Sequence, residues 1–236
     1  MYKEKKVIAI VPARGGSKGI KLKNLLKINR ISLIGHTSKF IDSLNIVDLK
    51  VLSSDHKLIL KEGKKYKFYN FKRPKKFSGD SVSDFEVINN VLEYKEFQNK
   101  FDYLIYLQPT SILRSKKQLL NAFKEMLVKH YDSSWAITKV DRKFHPLKIL
   151  SVENKKLFLN NSRGKKIVAR QQLKDCYIRN GNFYIFNVKK LLKKKSIYLN
   201  KILPSVSDHR VFNIDTWEDY VNLKNFLSNN KSDSAN

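Results

Sequence analysis

Short apolar segments alternate along this chain with segments whose apolar residues recur at helical spacing, and this alternation constrains the fold most. Residues 7–11 (VIAIV) form a continuous β-branched run, which predicts a strand buried on both faces. Further strands are predicted at residues 49–53, 67–71, 103–107, 135–140 and 182–186. Helices are predicted at residues 33–44 and after the capping patterns SDFE (83–86), SKKQ (115–118) and TWED (216–219). The alternation predicts an α/β fold with a doubly wound, mainly parallel sheet.

The domain organisation follows from where the alternation stops. A chain of 236 residues with 42% hydrophobic residues has enough apolar material for a large core, which excludes a disordered chain. We expect one domain over residues 1–227 and a polar, flexible tail over residues 228–236. Residues 141–179 are basic and lack a clear long helix, so an insertion is predicted there.

The net charge of +27 indicates an anionic partner or a solvated lysine surface. The cations are 39 lysines and nine arginines, whereas dedicated nucleic-acid readers often use arginine for bidentate contacts. The single cysteine, Cys176, excludes an internal disulfide and a cysteine-rich metal site. No apolar run approaches the roughly 20 residues of a membrane span, and no signal peptide is evident, so a cytoplasmic location without a membrane partner is expected.

Ligands of such folds bind at the carboxyl ends of strands. The first strand is followed by PARGGSKG (12–19), whose glycines allow a tight turn and whose Arg14 and Lys18 supply countercharge. The pattern matches neither the P-loop nor the dinucleotide fingerprint. It predicts a phosphate-binding loop, and the alternative is a flexible turn with solvated lysines.

Two other segments carry candidate site residues. After the strand at 103–107, Gln108 is a candidate for binding a polar ligand, and Arg114 either binds an anion or pairs structurally. Near the C-terminus, Asp215 is a candidate metal ligand, although Asp215 or Thr216 equally suits a helix cap.

Five motifs then occur in order: VPARGGSKGI, LQPTSILR, ARQQ, NGNFYIF and IDTWED. Together they resemble the cytidylyltransferases that activate acidic sugars, and most closely the N-acylneuraminate (sialic acid) cytidylyltransferases. Relatives that use legionaminic or pseudaminic acid share most of the motifs. The resemblance covers about residues 7–227. It implies a nucleotide-diphospho-sugar transferase-like, Rossmann-like fold in which residues 141–179 are a dimerisation insertion.

The resemblance also implies a reaction and a nucleotide site. CTP and a nine-carbon α-keto acid sugar would give CMP-sugar and pyrophosphate with Mg²⁺ as cofactor, the anomeric hydroxyl attacking the α-phosphate. Negative charge that builds on the phosphates demands fixed cations. The residues assigned to catalysis are Arg14, Lys18 and Asp215. Those assigned to the nucleotide are Ala13, Arg14, Gly15, Gly16, Ser17, Lys18, Lys23, Asn24 and Arg73. Arg73 has the alternative of a solvated arginine.

For the sugar, the resemblance implies Gln108, Arg170 and Tyr184 as pocket residues. A guanidinium suits a carboxylate substrate, whereas Tyr184 has the alternative of a core residue. In a homodimer the insertion can reach the neighbouring site, so Arg170 is a candidate for action across the interface. His145, in the same segment, is expected to be structural rather than a catalytic base, and Cys176 to be a core or interface residue.

The metal site departs from the family pattern. The family commonly has Asp-x-Asp where this chain has Asn213-Ile214-Asp215, so one carboxylate has become an amide. Mg²⁺ often uses only one or two carboxylates together with phosphates and water. We expect Asp215 to anchor Mg²⁺ with weaker affinity, while Asn213 ligates through its carbonyl or positions a metal-bound water.

Three other functions remain open from the sequence. One is a sister nucleotidyltransferase with a different sugar acid or base. Another is a non-catalytic basic module that binds RNA or an anionic surface, although no recognised nucleic-acid motif occurs and no specific nucleic-acid partner is expected. The third is an inactive homologue, which Asn213 makes conceivable.

Overall fold

The computed structural model describes residues 4–232, which form strands and helices in alternation. The strands are β1 (Val7–Pro12), β2 (Lys27–Ile28), β3 (Ile31–Ser32), β4 (Leu49–Ser54), β5 (Tyr69–Lys72), β6 (Tyr103–Tyr106), β7 (Ser133–Lys139), β8 (Leu150–Glu153), β9 (Lys156–Leu159), β10 (Tyr177–Asn187) and β11 (Ile202–Val206). The α-helices are α1 (Leu33–Leu44), α2 (Lys57–Lys65), α3 (Asp84–Leu92), α4 (Lys116–Val128), α5 (Val188–Lys194) and α6 (Trp217–Ser232).

Seven strands form one central sheet in the order β11-β7-β10-β6-β1-β4-β5. Strand β10 runs antiparallel to β6 and β7, and the other neighbouring pairs are parallel. This arrangement confirms the predicted α/β fold with a mainly parallel, Rossmann-like sheet. Two two-stranded sheets, β2-β3 and β8-β9, lie outside it.

The core lies on both faces of the sheet, as the apolar run of β1 predicts. Ala9 belongs to a buried cluster that includes Ile34 of α1, on one face. Ile8 and Ile10 belong to a second buried cluster that includes Ile88 of α3, on the other face. Successive side chains of a strand alternate between faces, so a strand covered on both sides needs apolar residues at every position.

The three predicted capping patterns all begin helices. Ser83 and Glu86 make both bonds of a capping box at α3. At α4, Ser115 accepts the N–H of Gln118, whose side chain binds Ser205 and Ser207 rather than returning to the cap. Before α6, Thr216 Oγ1 accepts the N–H of Asp219, and Asp219 Oδ2 accepts the N–H of Thr216.

Some boundaries differ from the predictions. Strand β11 was not predicted, because Pro204 interrupts its pattern; it lies at the edge of the sheet, where proline is tolerated. Strand β10 begins at Tyr177, so the last residues of the 141–179 segment belong to the central sheet. Helix α6 runs on to Ser232, past the predicted end at residue 227, and residues 233–236 of the predicted tail lie outside the described residues.

The rest of the 141–179 segment contains short 3₁₀ turns and the β8-β9 hairpin, and no α-helix among the described residues. None of the helices in residues 4–232 has the length and apolar character needed to cross a bilayer.

Candidate active site

A cavity of about 480 Å³ lies beyond the carboxyl ends of β1 and β6. Eight of the residues predicted from the sequence line it: Arg14, Ser17, Lys18, Lys23, Asn24, Arg73, Gln108 and Asp215. The lining carries seven charged side chains, four cationic and three anionic: Arg14, Lys18, Lys23, Arg73, Asp80, Asp84 and Asp215. The structure therefore brings together residues up to about 200 positions apart in sequence, as strand ends of an open α/β sheet do.

Arg14 and Lys18 share one carboxylate in the mouth of this cavity. Arg14 Nη1 lies 2.6 Å from Asp80 Oδ1, and Lys18 Nζ lies 2.7 Å from Asp80 Oδ2. Hydrogen bonds from Lys18 and Arg14 lower the pKa of the Asp80 carboxyl below its ordinary value. The two cations are thus close enough together to bind one anionic group at the same time.

Arg73 lies deeper in the cavity wall and is only 5% exposed. Among the described residues, its Nε and Nη2 atoms have no hydrogen-bond partner. Burial lowers the pKa of the Arg73 guanidinium, while the neighbouring Tyr106 and Asp55 act in the opposite direction. A buried cation with unused donors costs several kcal/mol of stability, which makes Arg73 a candidate for binding an anionic or polar ligand.

Lys23 and Asp215 close another side of the cavity. Lys23 Nζ lies 2.6 Å from Asp215 Oδ1; the lysine side chain is 17% exposed and the aspartate 70%. A Cβ at Gly19 would collide with the backbone oxygen of Asp215, so only glycine lets the first loop approach the segment before α6 this closely. Asn24 is buried, and its amide donates to the carbonyl of Arg14 over 3.2 Å, which fixes that loop.

Three residues assigned to the nucleotide do not line the cavity: Ala13, Gly15 and Gly16. Ala13 is fully buried, and its N–H donates to the Ser53 carbonyl. The N–H of Gly15 donates to Asp55 Oδ1 over 2.9 Å, so that group is not free for a phosphate. Neither loop glycine has a positive φ. Of the three loop glycines only Gly19 lines the cavity, together with the side chains of Arg14 and Lys18.

Gln108 lines the cavity and is positioned by Gly181 of the NGNFYIF motif. Gly181 has φ +74°, and a Cβ there would lie 2.7 Å from Gln108 Oε1 and 2.9 Å from Ser111 Oγ. Any larger residue would be strained and would displace the glutamine. Arg114 is structural: it donates to the carbonyls of Gln108 and Asn182, and burial lowers its pKa to about 9.

The structure places the two predicted metal ligands, Asp215 and Asn213, in different surroundings. Asp215 lines the cavity, whereas Asn213 does not, and Asn213 Oδ1 accepts a hydrogen bond from Ser111 Oγ. Within residues 4–232 no group of three or more His, Cys, Asp or Glu side chains is arranged to hold a metal ion. Asp215 is the predicted metal ligand that remains on the cavity wall, and a Mg²⁺ ion held by one or two protein carboxylates would take its other ligands from phosphates and water.

Tyr184 and Arg170 also lie outside the cavity lining. Tyr184 is 5% exposed and packs between Tyr106 and Trp135, so burial raises the pKa of its phenol. Arg170 lies in a 3₁₀ turn of the insertion, beside a separate cavity formed by that segment. Within one chain the structure brings neither side chain to the nucleotide-facing wall.

The histidine and cysteine of the insertion contact each other. His145 Nδ1 accepts the N–H of Leu147, and His145 Nε2 lies 3.1 Å from the Lys174 carbonyl and 3.0 Å from Cys176 Sγ. Both ring nitrogens are engaged with neighbouring groups, which agrees with a structural histidine.

Sequence reasoning missed several lining residues, above all Asp80, Asp84 and Tyr106. Tyr106 is almost fully buried and donates to Asp84 Oδ1 over 3.1 Å. Asp84 was noted only as part of a capping pattern. The Ser78-Gly79-Asp80 turn follows a 3₁₀ turn (Lys75–Phe77) and not a strand end, so the rule that ligands bind at strand ends did not identify Asp80.

A mainly parallel α/β sheet with a cation-lined cavity at its strand ends is typical of enzymes that bind nucleotides. A solved structure with this fold, CMP:2-keto-3-deoxy-manno-octonic acid synthetase complexed with CTP, superposes with a TM-score of 0.67 at 11% identity and covers 95% of this chain and 99% of that one. This chain belongs to the cytidylyltransferase family, whose model matches residues 8–226.

Three relatives of known name are similar to this chain over most of its length. The post-translational flagellin modification protein B of Campylobacter coli is 29% identical over 219 residues, 91% of this chain and 92% of that protein. A pseudaminic acid cytidylyltransferase of Campylobacter jejuni is 29% identical over 195 residues, with 82% and 83% covered. A CMP-N,N'-diacetyllegionaminic acid synthase of the same species is 28% identical over 230 residues, with 93% and 96% covered.

Proposed function

We propose that this enzyme transfers CMP from CTP to the anomeric hydroxyl of an N-acylated nine-carbon sugar acid, releasing pyrophosphate. The observation that carries the proposal is the cation set of the cavity, above all the buried guanidinium of Arg73 with its unpaired donors. A nucleoside triphosphate carries the negative charge that this set of cations would bind. Two of the relatives are named for pseudaminic acid and N,N'-diacetyllegionaminic acid, which are sugar acids.

The residues take separate parts in the reaction. Arg14, Lys18 and Lys23 bind the phosphates and offset the charge that builds on the α-phosphate and the leaving pyrophosphate. Arg73 binds the nucleotide from the cavity wall. Gln108, which follows β6 and lines the same cavity, orients the sugar so that the sugar's hydroxyl attacks in line with the leaving group.

Magnesium dependence is part of the proposal. Asp215 is the carboxylate that would hold Mg²⁺, and the ion when bound would neutralise phosphate charge. Lys23 contacts only Oδ1 of Asp215, and the Asp215 side chain is 70% exposed, so the carboxylate would have an oxygen available to the ion while Lys23 would remain beside the phosphates.

A homodimer completes the proposal. On one face of the β8-β9 hairpin, Leu150, Val152 and Leu157 are 50%, 67% and 65% exposed. An exposed apolar face of this kind is typical of an interface. A second copy on this face would bring Arg170 toward the neighbouring cavity, where its guanidinium suits a sugar carboxylate.

The direct test is a substrate panel. The protein is incubated with Mg²⁺, each of the four nucleoside triphosphates and N-acetylneuraminic, pseudaminic or N,N'-diacetyllegionaminic acid, and pyrophosphate is measured. We expect release only with CTP and strongest with one acid. Release of pyrophosphate with another triphosphate would favour a sister nucleotidyltransferase. No release with any pair of triphosphate and acid would favour an inactive homologue.

A further inference from the structure

A groove lies between α3 and α5, at the end of the sheet opposite the nucleotide cavity. Two cavities of about 330 and 420 Å³ form it, and they adjoin because Leu92, Asn99 and Leu192 line both. Helix α5 directly follows β10, whose last residue, Asn187, pairs with Tyr103 at the start of β6. The groove therefore lies at the amino end of β6, whereas the nucleotide cavity lies beyond the carboxyl end of that strand.

One face of each helix lines this groove. The lining residues are Phe85, Asn89 and Leu92 on α3, and Val188, Leu192 and Lys195 on α5 and its C-cap. In both rows the spacing is four and then three residues, which brings side chains to the same face of a helix. A cleft between two helix faces has the shape in which a third, amphipathic helix binds.

The floor of the groove is apolar and recessed. Leu92 and Phe97 are each 4% exposed, while Phe85, Phe101 and Leu192 are half-buried and so keep apolar surface for a ligand. A recessed floor receives side chains that a ligand inserts, whereas a bilayer surface receives apolar side chains that protrude from the protein. The shape therefore favours a peptide over a membrane.

The rim of the groove is basic. Lys189 and Lys195 line it, and in the described part of the chain no carboxylate lies within ion-pairing distance of either. Residues 176–207, which include α5, contain six lysines and no Asp or Glu. Glu93 is the single carboxylate among the described lining residues. Positive charge in excess along the rim is complementary to an acidic ligand.

We propose that this groove binds an acidic amphipathic helix of a partner protein. Apolar side chains of that helix, spaced at i, i+3 or i+4 and i+7, insert between α3 and α5. Carboxylates beside them pair with Lys189 and Lys195. The proposal does not rest on the proposed function, and a helix bound here leaves the nucleotide cavity open, because the groove lies at the other end of β6.

The test uses a fluorescein-labelled peptide of about 16 residues, a length that can form a helix. Its leucines recur at i, i+3, i+4 and i+7, and glutamates occupy the other face. A second peptide has the same composition but scatters the leucines around the helix. In fluorescence anisotropy with the full chain, we expect saturable binding of the first peptide and at least about tenfold weaker binding of the second.

A pair of charge reversals locates the binding. Lys189→Glu/Lys195→Glu should weaken binding of the first peptide about tenfold or more, since two ion pairs become repulsions. Lys61→Glu/Lys64→Glu is the matched control, because it makes the same change of net charge on α2, which lines neither cavity of the groove. The control should stay within twofold of the wild type. This comparison separates binding in the groove from general attraction to a chain of charge +27.

Leu192→Gln tests the apolar floor without changing the charge. We expect it to weaken binding of the first peptide at least about fivefold, because the leucine side chain lines both cavities. Circular dichroism and the midpoint of thermal unfolding show that each variant is folded.

Three results would overturn the proposal. The first is equal binding of the two peptides, and the second is equal weakening by the two lysine pairs. The third is absence of saturable peptide binding. If, in that case, vesicles of phosphatidylcholine and phosphatidylserine bound the wild type but not Lys189→Glu/Lys195→Glu, the surface would be assigned to a membrane. Self-association lost in the same variant would assign it to a second copy of this chain.

Discussion

The cavity wall and the 141–179 segment are built in opposite ways. The wall is formed by loops at the ends of buried strands, and its charges are largely paired within the chain, as Arg14 and Lys18 are with Asp80. The segment consists of short turns and a hairpin that exposes apolar side chains such as Val152 and Leu157. Under the proposed function, one chain would supply the nucleotide surface, whereas the segment presents an apolar face that a second copy would cover.

The two regions differ in how far their roles are expected to depend on dimer formation. Nucleotide binding should be a property of the single chain. Sugar transfer should depend on what covers the segment, because Arg170 lies there and not on the cavity wall of its own chain.

The largest effect is expected at the cavity wall. Arg73→Met removes a buried, unpaired cation and keeps an unbranched apolar side chain. We expect the KM for CTP to rise by about 100-fold, through lost charged hydrogen bonds worth about 3 kcal/mol. The free energy of unfolding should rise by about 1–2 kcal/mol, because the desolvation cost disappears. CTP titration and denaturant unfolding measure the two.

Arg163→Met is the matched control for that substitution. Arg163 is exposed in the insertion, so both quantities should stay near the wild-type values. A fall in stability for Arg73→Met would show that Arg73 is paired in solution and would remove the main support for its role.

The next effect concerns the metal. Asp215→Asn should raise the Mg²⁺ concentration for half-maximal activity about tenfold or more, because the carboxylate on the cavity wall is lost. Asn213→Asp should change it by less than about threefold, since the Asn213 oxygen is engaged by Ser111. Metal titrations of both variants decide this, and the reverse ranking would place residue 213 at the ion.

On the other side of the contrast, Leu157→Glu puts a charge on the exposed apolar face of the hairpin. In light scattering, we expect the molar mass of a dimer for the wild type and that of a monomer for Leu157→Glu. Sugar transfer should drop about tenfold, with the KM for CTP within twofold. Lys156→Glu is the control, because adjacent residues of a strand point to opposite faces. A variant that stays fully active as a monomer would refute the dependence on assembly.

The smallest effect is expected at Asp80. Asp80→Asn removes the carboxylate shared by Arg14 and Lys18, and the freed cations should lower the KM for CTP by up to about fivefold. The limit follows from the modest strength of exposed ion pairs, since Lys18 is 82% exposed. The gain should shrink at high salt. A large loss of activity would instead assign Asp80 a direct part in the reaction.

Much of this architecture was predictable from the sequence. The apolar run of β1 and the three capping patterns depend on local chemistry, which the fold retains. Strand β11 was not predictable in the same way, because its pattern is short and contains Pro204. The composition of β10 likewise did not indicate that this strand pairs antiparallel with β6 and β7.

The site also contains residues that the sequence predicted and residues that it did not. Charged residues next to recognisable motifs, such as Lys18 and Arg73, were predictable because they follow strand ends. Asp80 and Tyr106 were not, since only the folded chain shows that their side chains point into the cavity. Tyr184 shows the converse: a motif residue assigned to the sugar is buried in an aromatic row and does not line the cavity.

The most direct measurement follows the α-phosphate. The protein is incubated with Mg²⁺, CTP labelled at the α-phosphate and an N-acylated nine-carbon sugar acid, and the products are separated. The account predicts that the label enters CMP-sugar in equal amount to the pyrophosphate released. Label that remains in CTP with every acid, or that appears as free CMP from the outset, would contradict it.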